Sequence, residues 1–280
     1  MAEEEEEEGW LAGVRGVVAA AEDYCQWFAL RGALQRLFGA VGKRWTPPAA
    51  VAGLSERALA TVRVVFRLSL ELERVLMNVA RKAPAKLRFD RLPVPFAVDY
   101  HKVSASHHVF HYESQLDFPA ETIMSLFREF DLVAAWNRMC LESRILDEGS
   151  DAHVLAFARL WMPFPFAERE FVFECWGADL LDEAQAFVIL VSDGPSRRGL
   201  AGYPADPSGK ARPRINFLED SAVVMFPKLA ADGGSQTLVK TTLHVDLHIA
   251  TPPQWLLEVV FKVIAPYVLC DPTRLTAAAD

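Results

Sequence analysis

Apolar residues follow helical spacing toward both ends of the chain and alternate through its middle, and this pattern sets the order of elements. The segment 10–41 is rich in Ala, Leu and Val without a clean stripe, and Thr46-Pro47-Pro48 ends it. Over 54–82 the stripe is clear: Val65, Leu68, Leu72, Val75, Leu76 and Val79 share one side of a helix, with Arg63, Arg67, Glu71 and Arg74 on the other. Beyond Pro84 the period shortens to two, predicting strands over 94–103 and 109–116, the second with Phe110, Tyr112, Ser114 and Leu116 on one face. Pro119 opens a helix that carries Ile123, Leu126, Phe127, Phe130 and Val133 as its buried stripe and ends at Trp136-Asn137. Strands are then expected over 141–146, 153–162, 169–176, 185–192 and 214–226, the last broken at Asp220. A further alternating run over 238–249 passes through Thr251-Pro252-Pro253 into 254–269, which is apolar almost all round. Its polar residues Gln254, Glu258 and Lys262 recur every fourth position, so a helix there buries Leu256, Val260, Val263 and Tyr267 on the opposite side.

Consecutive strands bracketed by helices predict an α+β fold with a mostly antiparallel sheet. Alternation also tells the two faces apart. Val154, Ala156, Ala158 and Leu160 oppose His153, Phe157, Arg159 and Trp161; Phe171, Phe173 and Cys175 oppose Glu170 and Glu174; Leu243, Val245 and Leu247 oppose His244, Asp246 and His248. The apolar set is assigned to the inner face. With small residues at Ala156 and Ala158 such a wall backs either a ligand cavity or a solid core, and the pattern alone leaves both open.

Charge removes one class of partner. The formal net charge of -8 owes six acids to Glu3 to Glu8; setting these aside leaves 31 acids against 29 bases, about -2, with no basic field for nucleic acid. The acid run reads as a disordered, solvated tail over 1–9. Cys25, Cys140, Cys175 and Cys270 are widely spaced without a CxxC pair, which indicates neither a zinc site nor a disulfide framework and suits a reducing compartment. No apolar run reaches the roughly 18 residues of a membrane span. The acidic beginning is unlike a signal peptide, so the cytoplasm is the expected location.

Four local motifs, in order, carry a family resemblance: Phe130-Asp-Leu-Val-Ala-Ala-Trp136-Asn137, Ala167-Glu168-Arg169-Glu170-Phe171-Val172, Arg214 with Val223-Val-Met-Phe-Pro227, and Val245-Asp246-Leu247 before Pro252. Together they resemble the START lipid-transfer family, over residues 87–269. The resemblance implies a helix-grip fold, in which a curved antiparallel sheet wraps a long C-terminal helix around a lipid pocket. On it the domains are a tail 1–9, a helical extension 10–82 and a lipid-binding domain 83–272. The pocket is then lined by Val154, Ala156, Ala158, Leu160, Phe171, Phe173, Cys175, Met225, Leu243, Val245, Leu247, Leu256, Val260, Val263 and Tyr267, with Leu200 and Tyr203 as gate residues on the loop 194–212. Two departures stand out. The family has glycine between last strand and helix where this chain has His248-Ile249-Ala250, and Ala156 and Cys175 replace the buried acid and arginine of some sterol-binding members.

The remaining chemistry is sparse. His244, Asp246 and His248 sit at strand spacing, as a metal or acid-base set requires, yet they continue the polar side of a strand through Lys240 and Thr242, and a solvated face explains them better. No nucleophile elbow or phosphate loop is present. The expectation is a protein that binds and transfers a hydrophobic ligand, with no metal, cofactor or catalysis, touching membranes transiently. Two rivals remain: a helix-grip enzyme such as a polyketide cyclase, which requires polar groups inside the cavity, and an interaction module acting through the N-terminal helices.

Overall fold

The computed structural model describes residues 71–79, 87–89, 96–137, 139–150, 153–162, 167–193, 213–230 and 233–248. The acidic tail, the helix expected over 10–41, the loop 194–212 with Leu200 and Tyr203, and the segment 254–269 with Leu256, Val260, Val263 and Tyr267 lie outside the described residues.

Among the described residues ten strands form one antiparallel, unclosed sheet: β1 Leu87–Phe89, β2 Phe96–Lys102, β3 His107–Leu116, β4 Cys140–Ser150, β5 His153–Leu160, β6 Arg169–Leu180, β7 Ala186–Asp193, β8 Asn216–Phe217, β9 Ser221–Leu229 and β10 Ser235–Asp246. Nine of them run in the order β1-β2-β3-β10-β9-β7-β6-β5-β4, and β8 pairs with β10 off that path. Meander hairpins build each flank, and β10 returns to lie between β3 and β9. β4 is an edge strand with three register irregularities, a device that twists an edge away from further pairing.

The described helical residues are few. Helix α1 is described over 71–79, where Leu72, Val75 and Val79 are buried as its stripe predicts. Glu71 departs from the expected polar face: it is also buried, and its Oε1 accepts the Asp220 N–H at 3.2 Å while Arg74 Nε pairs with Asp220 Oδ1 at 3.2 Å. Asp220 has a φ of 67°, left-handed backbone that turns the chain between β8 and β9. This is where the run over 214–226 breaks.

Helix α2, Ala120–Arg128, buries Ala120, Ile123 and Leu126. The expected unbroken helix to Trp136 does not form, because Glu129 leaves helical geometry at ψ 56° and the chain continues as a 3-10 turn, Phe130–Leu132, and a short α3, Val133–Trp136. The break sets the Phe130 ring edge-on to Phe173, centroids 5.0 Å apart. Ser143 then fastens this connection to β4: its Oγ donates to Asp131 O at 2.9 Å and accepts the Ala134 N–H at 3.0 Å. Asn137 makes the turn into β4, its Oδ1 accepting the Met139 N–H at 3.0 Å and its carbonyl the Cys140 N–H at 2.9 Å. A short α4, Leu181–Ala184, links β6 to β7.

The inner face carries the main core, which includes Val154, Ala156, Phe173, Ile189, Val191, Val223, Met225, Val239 and Val245. Contrary to a simple one-sided sheet, the outer face is buried too in the middle of the sheet. Leu155, Phe157 and Val172 form a second cluster with Leu146, and Glu170 and Glu174 are buried. The outer face turns polar toward both ends of the sheet: at β4 and β5, where Arg144 and Arg159 pair with Glu142, and at β2, β3 and β10. On these last three strands His101 Nε2 meets Asp99 Oδ2 at 2.7 Å, His111 Nδ1 meets Thr242 Oγ1 at 3.1 Å, and Lys240 pairs with Glu113.

Candidate functional site

Antiparallel register brings alternate residues of neighbouring strands to the same face, so the inner side of the sheet can be read row by row. Val98, Tyr112 and Thr241 make one row across β2, β3 and β10; Phe110 and Leu243 lead the next; Ala158 faces Phe171 across β5 and β6. Over these rows lie α2, the 3-10 turn and α3. Thr237, fully buried, donates its hydroxyl to Phe118 O at 2.7 Å and holds the approach to α2 against β10.

Between sheet and helices is a cavity of about 530 Å³. Ile123, Leu126, Phe127, Phe130, Val133, Trp136 and Asn137 line it from above, and Val98, Phe110, Tyr112, Ser114, Leu116, Val191, Val223, Val239 and Thr241 from the sheet. Phe217 enters from β8, stacked on Phe171 with centroids 5.4 Å apart. Among the described residues no charged side chain lines it. A wall of this kind, with a few hydroxyls and one amide, has the size and polarity of a pocket for a largely apolar small molecule.

The residues expected to line a pocket divide into three groups. Ala158, Leu160, Phe171, Phe173, Cys175 and Leu243 are at the cavity surface. Val154, Ala156, Met225, Val245 and Leu247 point to the same side and pack in the same apolar cluster, beside the cavity rather than on its surface. Leu200, Tyr203, Leu256, Val260, Val263 and Tyr267 lie outside the described residues. The expectation omitted the helical stripe from Ile123 to Val133, and Phe110, Tyr112 and Leu116, although alternation and helical spacing had marked their faces. The signal that was lacking is register, since it is the pairing of β3 with β10, Phe110 with Leu243 and Tyr112 with Thr241, that joins β3 to the wall.

The two described thiols are unsuited to nucleophilic work. Burial, with the neighbouring Glu174 charge, pushes Cys175 up to about 12, and burial raises Cys140 as well, so both stay protonated near neutrality. Ala156 and Cys175 leave the wall without the acid and arginine named above. Among the described residues no group of three or more His, Cys, Asp or Glu is placed to hold a metal ion.

At the exit of β10, Asp246 gathers several donors. Its Oδ1 accepts the His248 N–H at 3.0 Å, His107 Nε2 lies 3.3 Å from Oδ2, and His248 Nδ1 lies 3.5 Å from Oδ1. Burial raises the Asp246 pKa, but the His248 N–H, Ser106 and the charges of His248 and His107 outweigh it and hold the carboxyl below its usual range. His248 itself has a φ of 48°, the left-handed conformation for which a glycine is the ordinary choice. The histidine thus occupies the place of the missing glycine, with the Asx-type bond to Asp246 as local support.

No family model and no curated protein matches the chain. Solved structures do. Human StAR-related lipid transfer protein 5 aligns at 12% identity over 75% of this chain and 95% of that one, with a TM-score of 0.53. Human STARD10 aligns at 14% identity over 74% of this chain and 77% of that one, with a TM-score of 0.50. The fold is START-like, an α+β helix-grip architecture.

Proposed function

We propose that this chain binds one hydrophobic ligand, a lipid, in the cavity between its sheet and helices and carries it between membranes in the cytoplasm, with no chemistry of its own. One observation carries the reading: a cavity of about 530 Å³ whose described wall has no charged side chain. Transfer of apolar surface from water supplies the affinity, about 0.8 kcal/mol for each methylene buried. Catalysis of the polyketide-cyclase kind needs polar groups presented to the bound molecule, and the described wall offers Tyr112, Ser114, Thr122, Asn137 and Thr241 among aromatic and aliphatic neighbours. The START-like fold supports the same reading, since the similar human protein is a StAR-related lipid transfer protein.

The test is transfer of fluorescently labelled lipids from donor to acceptor vesicles by the full chain. Faster transfer of at least one lipid class, saturating with protein at one ligand per chain, is expected. A chain that accelerates transfer of none and retains no lipid after delipidation and reloading is not a carrier.

A further inference from the structure

His108 is a polar side chain with almost no contact with water: it is 1% exposed, on the inner face of β3. Its register partner on β10 is Val245 of the main core, and its ring stacks on cavity-lining Phe110, centroids 6.3 Å apart at 22°. Nδ1 is hydrogen-bonded to the Tyr100 hydroxyl at 2.8 Å, and the Tyr100 ring packs beside both, stacked on His108 at 5.8 Å and tilted on Phe110 at 5.3 Å. Nε2 has no partner. A buried nitrogen left unsatisfied is costly and uncommon, and such groups mark the place of a bound molecule or water.

We propose that Tyr100 and His108 form the polar end of the ligand site, and that His108 Nε2 binds the free hydroxyl of an uncharged lipid alcohol whose hydrocarbon body fills the cavity. This rests on the lipid-binding reading above and names the ligand class within it. The chemistry selects a hydroxyl for a specific reason. A neutral imidazole carries one proton, so Nε2 donates when the Tyr100 hydroxyl donates to Nδ1, and accepts when Nδ1 donates to the tyrosine oxygen. A hydroxyl satisfies either tautomer, whereas a carbonyl or ether satisfies only the first. Charge points the same way. Burial raises the Tyr100 phenol and lowers the His108 imidazole, the latter helped by Lys102 and His107 and opposed by Asp246, so the pair is neutral near pH 7. A neutral pair next to a wall with no described charge suits an uncharged head group better than a carboxylate or phosphate. The dyad is one row beyond cavity-lining Phe110 and Leu243, toward the exit of β10; neither ring lines the cavity itself, so the proposal requires the His108 ring to turn toward Phe110 when the ligand binds.

The experiment uses the full chain labelled with [15N]histidine, and 1-hexadecanol and hexadecane as probes, with displacement of diphenylhexatriene reporting occupancy of the cavity. Both probes are expected to displace the dye. Only hexadecanol is expected to shift the His108 ring nitrogens and slow the exchange of its ring proton, and His108→Phe should lower affinity for hexadecanol about tenfold relative to hexadecane. Tyr100→Phe moves the Nδ1 resonance and identifies the ring even where His108→Phe fails to fold. Displacement by hexadecanol with unmoved His108 nitrogens overturns the dyad and leaves the cavity reading intact. Failure of both probes to bind, or of the dye to enter at all, overturns both.

Discussion

Ala156 and Cys175 face the same side of neighbouring strands but are not directly opposed: Ala156 pairs with Phe173, and Cys175 with Val154. They are diagonal neighbours, whose Cα atoms are about 7–8 Å apart in such sheets, within reach of long side chains. Ala156→Glu buries a carboxylate in the apolar cluster of the inner face, at a position 0% exposed, and should destabilise the protein by several kcal/mol in urea unfolding. Adding Cys175→Arg should recover part of the loss, with a coupling of about 0.5–3 kcal/mol in a double-mutant cycle. Strictly additive effects would mean that the two side chains do not meet.

Ala158 differs from Ala156 in standing at the cavity surface. Ala158→Phe therefore has free space to enter, so the cost of overpacking, about 1–3 kcal/mol in a closed core, should be largely absent. The expected outcome is a melting temperature close to that of the parent together with loss of most ligand binding, measured by dye displacement. A large fall in melting temperature with binding retained would contradict the geometry.

His108 makes stability depend on pH in a definite direction. Its folded pKa is lowered, first by burial and then by the Lys102 and His107 charges, so the unfolded chain binds the proton more readily. The contribution of neutral His108 is present above the unfolded value of about 6.5 and is lost as pH falls through it, at up to about 1.4 kcal/mol per pH unit. Unfolding midpoints of the parent should drop more steeply between pH 7 and 5 than those of His108→Phe. Parallel curves would show that the ring is not desolvated.

Ser143 tests the fastening of the 3-10 turn and α3 to β4. Ser143→Ala removes the partner of the Ala134 N–H and the Asp131 carbonyl, two part-buried hydrogen bonds worth about 0.5–1.5 kcal/mol each. Hydrogen exchange in 130–137 should accelerate more than in β6 or β9. Uniform acceleration would place the effect in global stability instead.

Much of the sheet was legible because burial on one face writes a period of two into the sequence. The runs Val154 to Leu160 and Phe171 to Cys175 gave both strands and parity, and Asp220 marked the break between β8 and β9 correctly. Less legible were features set by tertiary context. The spacing of Leu126, Phe130 and Val133 is helical throughout, so the departure at Glu129 leaves no trace in the pattern. Glu71 has the side chain of a solvated face and is buried by a partner 149 residues away. The site followed the same division. Alternation separates inward from outward residues, but it does not say that Ala158 lines the cavity while Ala156 does not, nor that His108, with His107 beside it and His111 three residues on, is the buried one of the group.

Native mass spectrometry of the full chain purified from a eukaryotic host, followed by lipid extraction, tests lipid binding most directly. The account predicts a population carrying one hydrophobic molecule per chain, released under mild activation, and its absence from Ala158→Phe prepared in the same way. A parent that is ligand-free, cannot be loaded with any lipid class, and behaves identically to Ala158→Phe would contradict it.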